Sequence, residues 1–293
     1  MILCVGASGQ LARSLVEVDG KRVRALGRPE LDLTDDRSIQ NALETVQPDA
    51  VINAAAFTAV DDAEANEDAA FALNRDGPEQ LARLCARHDV PLIHVSTDFV
   101  FDGKKGAPYS ETDRAAPLNV YGRSKLAGEE AVLDAHPRAM VVRTAWVHSP
   151  FGTNFTKLMA GLLQTREEIG VVVDQVGSPT YAPDLAAALL KLADGMQNHQ
   201  CTENGIYHLA GDGGATRHEW VSVIADTLAE RGLKTARIRE ASAREFPAPA
   251  QRPNDTRLNC MKIQQDCGLA LPAWQEGVRA CVLRLLSGME GSA

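Results

Sequence analysis

The sequence predicts an α/β fold, a Rossmann-type doubly wound parallel sheet with a smaller interleaved α/β lobe for substrate. Two observations predict the sheet: strand-length apolar runs alternate with helix-length amphipathic stretches, and the first run ends in a glycine turn. A third, the loop-rich composition of two late segments, predicts the lobe.

The first element is Met1–Val5, an apolar run ending directly in Gly6-Ala-Ser-Gly9-Gln10-Leu11-Ala12, after which Arg13 to Val18 reads as helix. A strand, glycine turn and helix let backbone N–H groups approach a pyrophosphate, whose charge the helix N-terminus favours. The spacing is G-x-x-G-x-x-A, and Ala12 still allows close helix–strand packing. Further strands are expected at Val23–Leu26, Ala50–Ala55, Leu92–Val95, Ala139–Thr144 and Gly205–Leu209, giving a sheet of six or seven strands. Helices are expected over Ser38–Val46, Ala69–His88 and Tyr121–Ala135 from their 3.6-residue periodicity. Thr34-Asp35-Asp36 is a helix N-cap signal, and Pro48-Asp49 breaks the chain before the third strand.

Residues 1–146 plus about 177–212 are read as the dinucleotide domain, and about 147–176 plus 213–293 as the second lobe. The signals are Ser149-Pro150, Gly152-Thr-Asn154 and Pro247-Ala-Pro249, whereas Asp184–Gly195 and Ile206–Leu209 are apolar and return to the first domain. Ligands of open α/β sheets bind at the carboxyl ends of the strands, so the lobe should close over that edge.

Composition narrows the function. A chain of 293 residues with 45% hydrophobic content can build a sizeable core. A net charge of -9 without a long Lys/Arg run argues against nucleic acid or an anionic membrane as the main partner. No run of about 18 apolar residues occurs, and no export signal is recognisable. The six scattered cysteines indicate neither a zinc site nor a disulfide framework, so the cytoplasm fits best. His94, His148, His208 and His218 have no metal-ligand spacing and read as structural.

Tyr121-Gly-Arg-Ser-Lys125 places a phenol and an ammonium one turn apart on a helix face, a proton-transfer geometry. Ser96-Thr97-Asp98 lies at the end of the fourth strand, upstream of this pair.

With these motifs in order, the chain resembles the extended short-chain dehydrogenase/reductases, and more narrowly the dTDP-4-dehydrorhamnose reductases. The likeness runs through Gly6-Ala-Ser-Gly9-Gln10-Leu11, Asp32-Leu33, Asn53-Ala-Ala-Ala-Phe-Thr58, Ser96-Thr-Asp-Phe-Val-Phe-Asp-Gly103, Pro117-Leu-Asn-Val-Tyr-Gly122 and Lys125-Leu-Ala-Gly-Glu129. It continues through Arg143-Thr-Ala-Trp146, Asp174-Gln-Val-Gly-Ser-Pro-Thr180, and Arg252-Pro253 to Arg257-Leu-Asn259.

The resemblance implies reduction of the 4-keto group of dTDP-4-dehydro-L-rhamnose, with Tyr121 as acid, Thr97 orienting the carbonyl, and Lys125 holding the nicotinamide ribose and, together with the oxidised nicotinamide, lowering the phenol's pKa. It places Gly6, Ser8, Gly9, Gln10 and Leu11 at the pyrophosphate, Asp32 and Leu33 at the adenine, and Ala54, Ala55, Ala56, Phe57 and Thr58 near ribose and phosphates. No carboxylate ends the second strand to grip a ribose 2′-OH, whereas Arg28 can pair with a 2′-phosphate. NADPH is therefore the expected cofactor, with NADH the alternative.

Asp98 is expected to hold a sugar hydroxyl, Trp146 to lie against the deoxysugar, and Asn154, Phe155 and Arg252 to meet the nucleotide diphosphate. The assembly to expect is a homodimer. Some relatives dimerise through acidic residues and magnesium, but Ser14 stands where the acidic residue would be, which argues against Mg2+ here. Two other readings stand beside this one: a reductase of another nucleotide-linked 4-ketosugar, and a non-catalytic NADP-binding regulatory subunit of the methionine adenosyltransferase type.

Overall fold

All six apolar runs pair in parallel into a single sheet. The computed structural model describes residues 1–198 and 204–290. Its first half contains β1 (Ile2–Val5), α1 (Gln10–Asp19), β2 (Val23–Leu26), α2 (Asp36–Val46) and β3 (Ala50–Asn53). It continues with α3 (Val60–Ala65), α4 (Glu67–Phe71), α5 (Gly77–Arg87), β4 (Leu92–Thr97), α6 (Val120–Ala135) and β5 (Ala139–Thr144). Then come β6 (Val147–His148), α7 (Phe155–Thr165), β7 (Glu168–Val172), β8 (Val176–Gly177), β9 (Thr180–Tyr181), α8 (Ala182–Gln197) and β10 (Gly205–His208). The chain closes with β11 (Ala215–Thr216), α9 (Arg217–Ala229), β12 (Arg237–Ala241), α10 (Met261–Cys267) and α11 (Trp274–Glu290).

The sheet order is β10-β5-β4-β3-β1-β2. The connection reverses direction between β1 and β3, and that switch point opens a crevice at the strands' carboxyl ends. Its central strands β1, β3 and β5 are buried along their whole length because helices cover both faces. Ile2, Cys4, Ile52 and Ile93 pack with α1 and α8, while Leu3, Val5, Val51 and Leu92 pack with α2 and α5. A separate core joins Leu163, Ile169, Trp220, Ile224, Trp274 and Val278 from α7, β7, α9 and α11. Parallel pairing of β7 with β12, two strands far apart in sequence, frames it.

Three local expectations change. The stretch from Ala69 to His88 is not one helix: a π turn over Ala72–Asp76 interrupts it. There the Asn74 side chain accepts from the Phe57 N–H at 2.7 Å and donates to the Phe57 carbonyl at 3.1 Å and to Ser124 at 2.9 Å. These bonds reward turning Asn74 inward, and a π turn supplies the extra residue that does so. Next, β4 continues through Ser96 and Thr97, since both pair in register with Arg143 and Thr144 of β5. Finally, Cys267 is disulfide-bonded, a bond the cysteine spacing does not announce. Among the described residues no helix is long and apolar enough to cross a membrane.

Candidate active site

A cleft of about 630 Å³ lies along the carboxyl ends of β1, β3, β4 and β5. Its first wall is the glycine turn. Gly6 has φ +108°, and a Cβ there would sit 3.0 Å from the Ala55 backbone nitrogen, so only glycine lets the β1 and β3 loops approach this closely. Gly9 caps α1 without a side-chain hydrogen bond, leaving the first-turn N–H groups for a ligand. Ser8 is exposed in this wall, and Leu11 turns its side chain into the sheet core. Gln10 does more than line it: its Oε1 accepts from Ser149 Oγ and Asn154 Nδ2, both at 2.9 Å. The turn is thereby latched to the segment after β6. Ser14, one turn further along α1, is buried and donates to the Gln10 carbonyl at 2.9 Å, so its position does not face solvent.

At the far end Arg28 is exposed and lines the cleft with Asp32 and Leu33. The Asp32 carboxylate is folded into its own loop, accepting from Thr34 N and Oγ1 at 2.9 and 2.8 Å; these bonds, with Arg28 nearby, lower its pKa. Ala54, Ala55, Ala56 and Thr58 line the middle of the cleft, but Phe57 does not. Held by Asn74, it packs with Ala63, Ala70 and Val120.

The reacting edge is built by α6 and the end of β4. Asn119 caps α6, accepting from Gly122 N at 2.8 Å, and Glu64 accepts from Val120 N at 2.8 Å. Tyr121 and Lys125 then face the cleft beside Thr97 and Asp98. Lys125 Nζ donates to the Val95 carbonyl at 2.8 Å and lies 3.3 Å from His94 Nε2. Burial draws its pKa down to about 8, against the pull of Glu129.

The depression expected of the Tyr121 phenol calls on Lys125 together with the oxidised nicotinamide. Burial pushes Tyr121 up to about 12, a hydrogen bond with Thr97 opposes this, and Asp98 adds to it. Charge on the lysine is itself disfavoured by burial, and His94, read from sequence as structural, is its polar neighbour. Asn53 Oδ1 accepts from Ala55 N at 3.2 Å, so its amino group faces His94 Nδ1 at 3.1 Å. Nδ1 must then accept, which assigns the ring proton to Nε2, pointing at Lys125.

Beneath this edge Arg143 grips Glu129 in a buried ion pair, with contacts of 2.9 and 2.6 Å, and Ser96 donates to the same carboxylate. The pair locks β4, α6 and β5 together, so Thr97, Tyr121 and Thr144 hold one geometry.

On the substrate side Asp98 is 2% exposed and accepts from Thr97 at 3.1 Å and from Thr256. Burial raises its pKa to about 6 despite these bonds and the nearby Arg217. Trp146 lines the cleft with φ 45°, and a Cβ on Gly177 would come within 2.3 Å of the indole, so glycine is required beneath the ring. Asn154, Phe155 and Arg252 lie outside this lining. The Asn154 amide is used as the α7 N-cap and on Gln10, Ser149 and Phe151. Arg252 forms a two-pronged pair with Asp61 at 2.7 and 3.1 Å. Phe155 packs 4.9 Å from the Trp220 ring centroid.

Sequence reasoning missed His94, Asn74, Thr256 and Arg217. One signal was available for His94, a polar residue inside an otherwise apolar strand. A second marked Arg217: Thr216-x-x-Glu219 is a capping box that puts a cation at the first position of a helix.

The family model described as RmlD substrate binding domain matches residues 1–287. The dTDP-4-dehydrorhamnose reductase of Sinorhizobium fredii (strain NBRC 101917 / NGR234) is 41% identical over 284 residues, covering 96% of each chain. That of Aggregatibacter actinomycetemcomitans is 37% identical over 95% of this chain and 97% of its own. The solved dTDP-4-dehydrorhamnose reductase of Bacillus anthracis str. Ames in complex with NADP superposes with a TM-score of 0.89 at 32% identity, over 97% of this chain and 98% of that one. A UDP-glucose 4-epimerase of Thermus thermophilus, 20% identical with a TM-score of 0.80 over 97% of this chain and 98% of that one, shares the fold. By the extent of these matches, the chain belongs to the RmlD substrate binding domain family.

Proposed function

We infer that the chain is an NADPH-dependent oxidoreductase that reduces the 4-keto group of dTDP-4-dehydro-L-rhamnose to dTDP-L-rhamnose, the last step of dTDP-rhamnose biosynthesis. The observation that carries this reading is the near-complete match to dTDP-4-dehydrorhamnose reductases, in a chain whose Tyr121, Lys125 and Thr97 line one cleft with the Gly6–Gly9 turn.

The turn fits a pyrophosphate through Gly6 and the open α1 terminus, and Arg28 supplies a cation for a 2′-phosphate. Bound NADPH supplies the hydride for the ketone carbon. Tyr121, kept neutral by burial, donates its proton to the developing alkoxide, and Thr97 orients the carbonyl oxygen. Lys125 holds the nicotinamide ribose and returns a proton to the phenolate. Asp98 takes a sugar hydroxyl and Trp146 the apolar side of the deoxysugar.

The division of residues 1–146 plus about 177–212 from the rest belongs to the same proposal, with the second lobe closing the cleft over the nucleotide sugar. A homodimer in the cytoplasm is the expected working form, and sedimentation of the purified chain tests the assembly.

The deciding assay follows NADPH oxidation with dTDP-4-dehydro-L-rhamnose beside GDP- and CDP-linked 4-ketosugars. Preference for the thymidine nucleotide supports the reading, and preference for another base replaces it with a reductase of that sugar. NADPH binding without turnover of any ketosugar favours the regulatory-subunit alternative.

A further inference from the structure

Three arginines surround the substrate side of the cleft, and two are already engaged. Arg143 is held by Glu129, and Arg252 by Asp61. Arg217, the first residue of α9, differs. Its guanidinium carbon lies 3.6 Å from the centroid of Trp146, 4.8 Å from Phe155 and 5.4 Å from Trp220. Among the described residues no acceptor takes a hydrogen bond from it and no carboxylate pairs with it.

This half-buried place suits an anion beside the cation. The positive end of the α9 dipole disfavours a lone charge there, and the five N–H donors of Arg217 have no protein acceptor and stay open to water or a ligand. Burial brings the Arg217 pKa down to about 9, Asp98 pulls the other way, and Arg252 adds like-charge repulsion. The aromatic rings recover part of the loss through cation–π attraction, but a ring face cannot satisfy a planar fork of donors.

An anion placed against Arg217 would relieve all three penalties together. A pyranose carries its 4-keto carbon and its phosphate-bearing carbon on opposite sides of the ring. With the ketone between Tyr121 and Thr97, and the ring passing Asp98 and Trp146, the phosphates arrive beyond Trp146, where Arg217 rests on the indole and feels the charge of Arg252.

We propose that Arg217 is a binding residue for the diphosphate of the nucleotide sugar, presented on the face of Trp146 and acting beside Arg252. The proposal rests on the nucleotide-sugar reading above and adds the residue that anchors its charge. Trp146 then has two tasks, shaping the sugar pocket and aiming a guanidinium.

The test measures binding of dTDP, dTMP and thymidine to the NADP-loaded wild type and to Arg217→Met, which keeps an unbranched stem on the indole, and Arg217→Lys, which keeps the charge without the fork. Expected is a loss of dTDP affinity of about 10- to 100-fold in Arg217→Met, a smaller loss in Arg217→Lys, and no change for thymidine or NADPH. KM for the nucleotide sugar should rise with dTDP dissociation while kcat changes little. Equal dTDP affinity in wild type and Arg217→Met overturns the role of Arg217 alone. A wild type that binds no dTDP overturns the nucleotide-sugar reading and this proposal with it. Parallel loss of thymidine binding would make Arg217 a structural support of the lobe, and would also overturn the proposal.

Discussion

Lys125 and His94 face each other nitrogen to nitrogen at 3.3 Å, both fully buried beside the cleft that Tyr121 lines. Burial holds Lys125 near pKa 8, well below its ordinary range, so its charge is present below about pH 8 and fades above it. NADPH affinity should therefore weaken between pH 7 and pH 9 in the wild type and vary little with pH in Lys125→Met. His94→Gln offers Lys125 a carbonyl acceptor and should move the weakening to higher pH. Titration of cofactor binding over this range checks both, and a flat wild-type profile would count against the ribose contact.

Tyr121→Phe removes the donated proton but keeps the ring 5.7 Å from Phe99 in its edge-on packing. Turnover should fall by about 10²–10⁴-fold while NADPH binding is retained. Single-turnover kinetics with saturating cofactor measures this, and an unchanged rate would remove Tyr121 from the chemistry.

Asp98 combines function with a stability cost. Its folded pKa of about 6 exceeds the ordinary 3.8, so above pH 6 the folded chain carries a buried charge that the unfolded chain carries in water. Between pH 6 and pH 4 the folded carboxyl is protonated while the unfolded one is still ionised, and the cost shrinks. Asp98→Asn should stabilise the chain by about 1–3 kcal/mol at pH 7.5, lose that advantage toward pH 4, and raise KM for the sugar. Chemical denaturation across this pH range decides it, with a variant less stable at pH 7.5 refuting the assignment.

Arg28→Ala should erode the preference for NADPH and leave NADH turnover almost untouched, because the side chain is exposed and Asp32 is turned toward Thr34. The comparison is kcat/KM for both cofactors in both proteins. Equal impairment with each would mean that Arg28 supports the loop and does not read the 2′-phosphate.

The Rossmann sheet was legible because its central strands are buried on both faces and therefore mostly apolar, and Gly6, Tyr121 and Lys125 carry their chemistry in residue type and spacing. What stayed hidden depends on contacts between segments distant in sequence. Asn74 bends a helix to reach Phe57 and Ser124, and nothing in its neighbourhood announces that partner. Thr256 meets Asp98 across 158 positions, and Gln10 meets Asn154 across 144. The pairing of β7 with β12 also joins segments far apart in sequence, and their Glu168–Val172 and Arg237–Ala241 segments are too polar at the edges to stand out as strands. The burial of Tyr121 and Lys125 stayed hidden for a related reason: helical spacing gives the distance between two side chains but not the desolvation that acts on both.

Trp146 stands on a left-handed backbone above a glycine that leaves no room for a methyl group. Under the proposed sugar contact, an indole seated this way presents a fixed wall to the ring. Selectivity there would be set when the chain folds and not adjusted when the substrate arrives. Re-engineering the enzyme toward other sugars would have to begin with the peptide geometry at 146 and 177, since a new side chain alone would inherit the same seat.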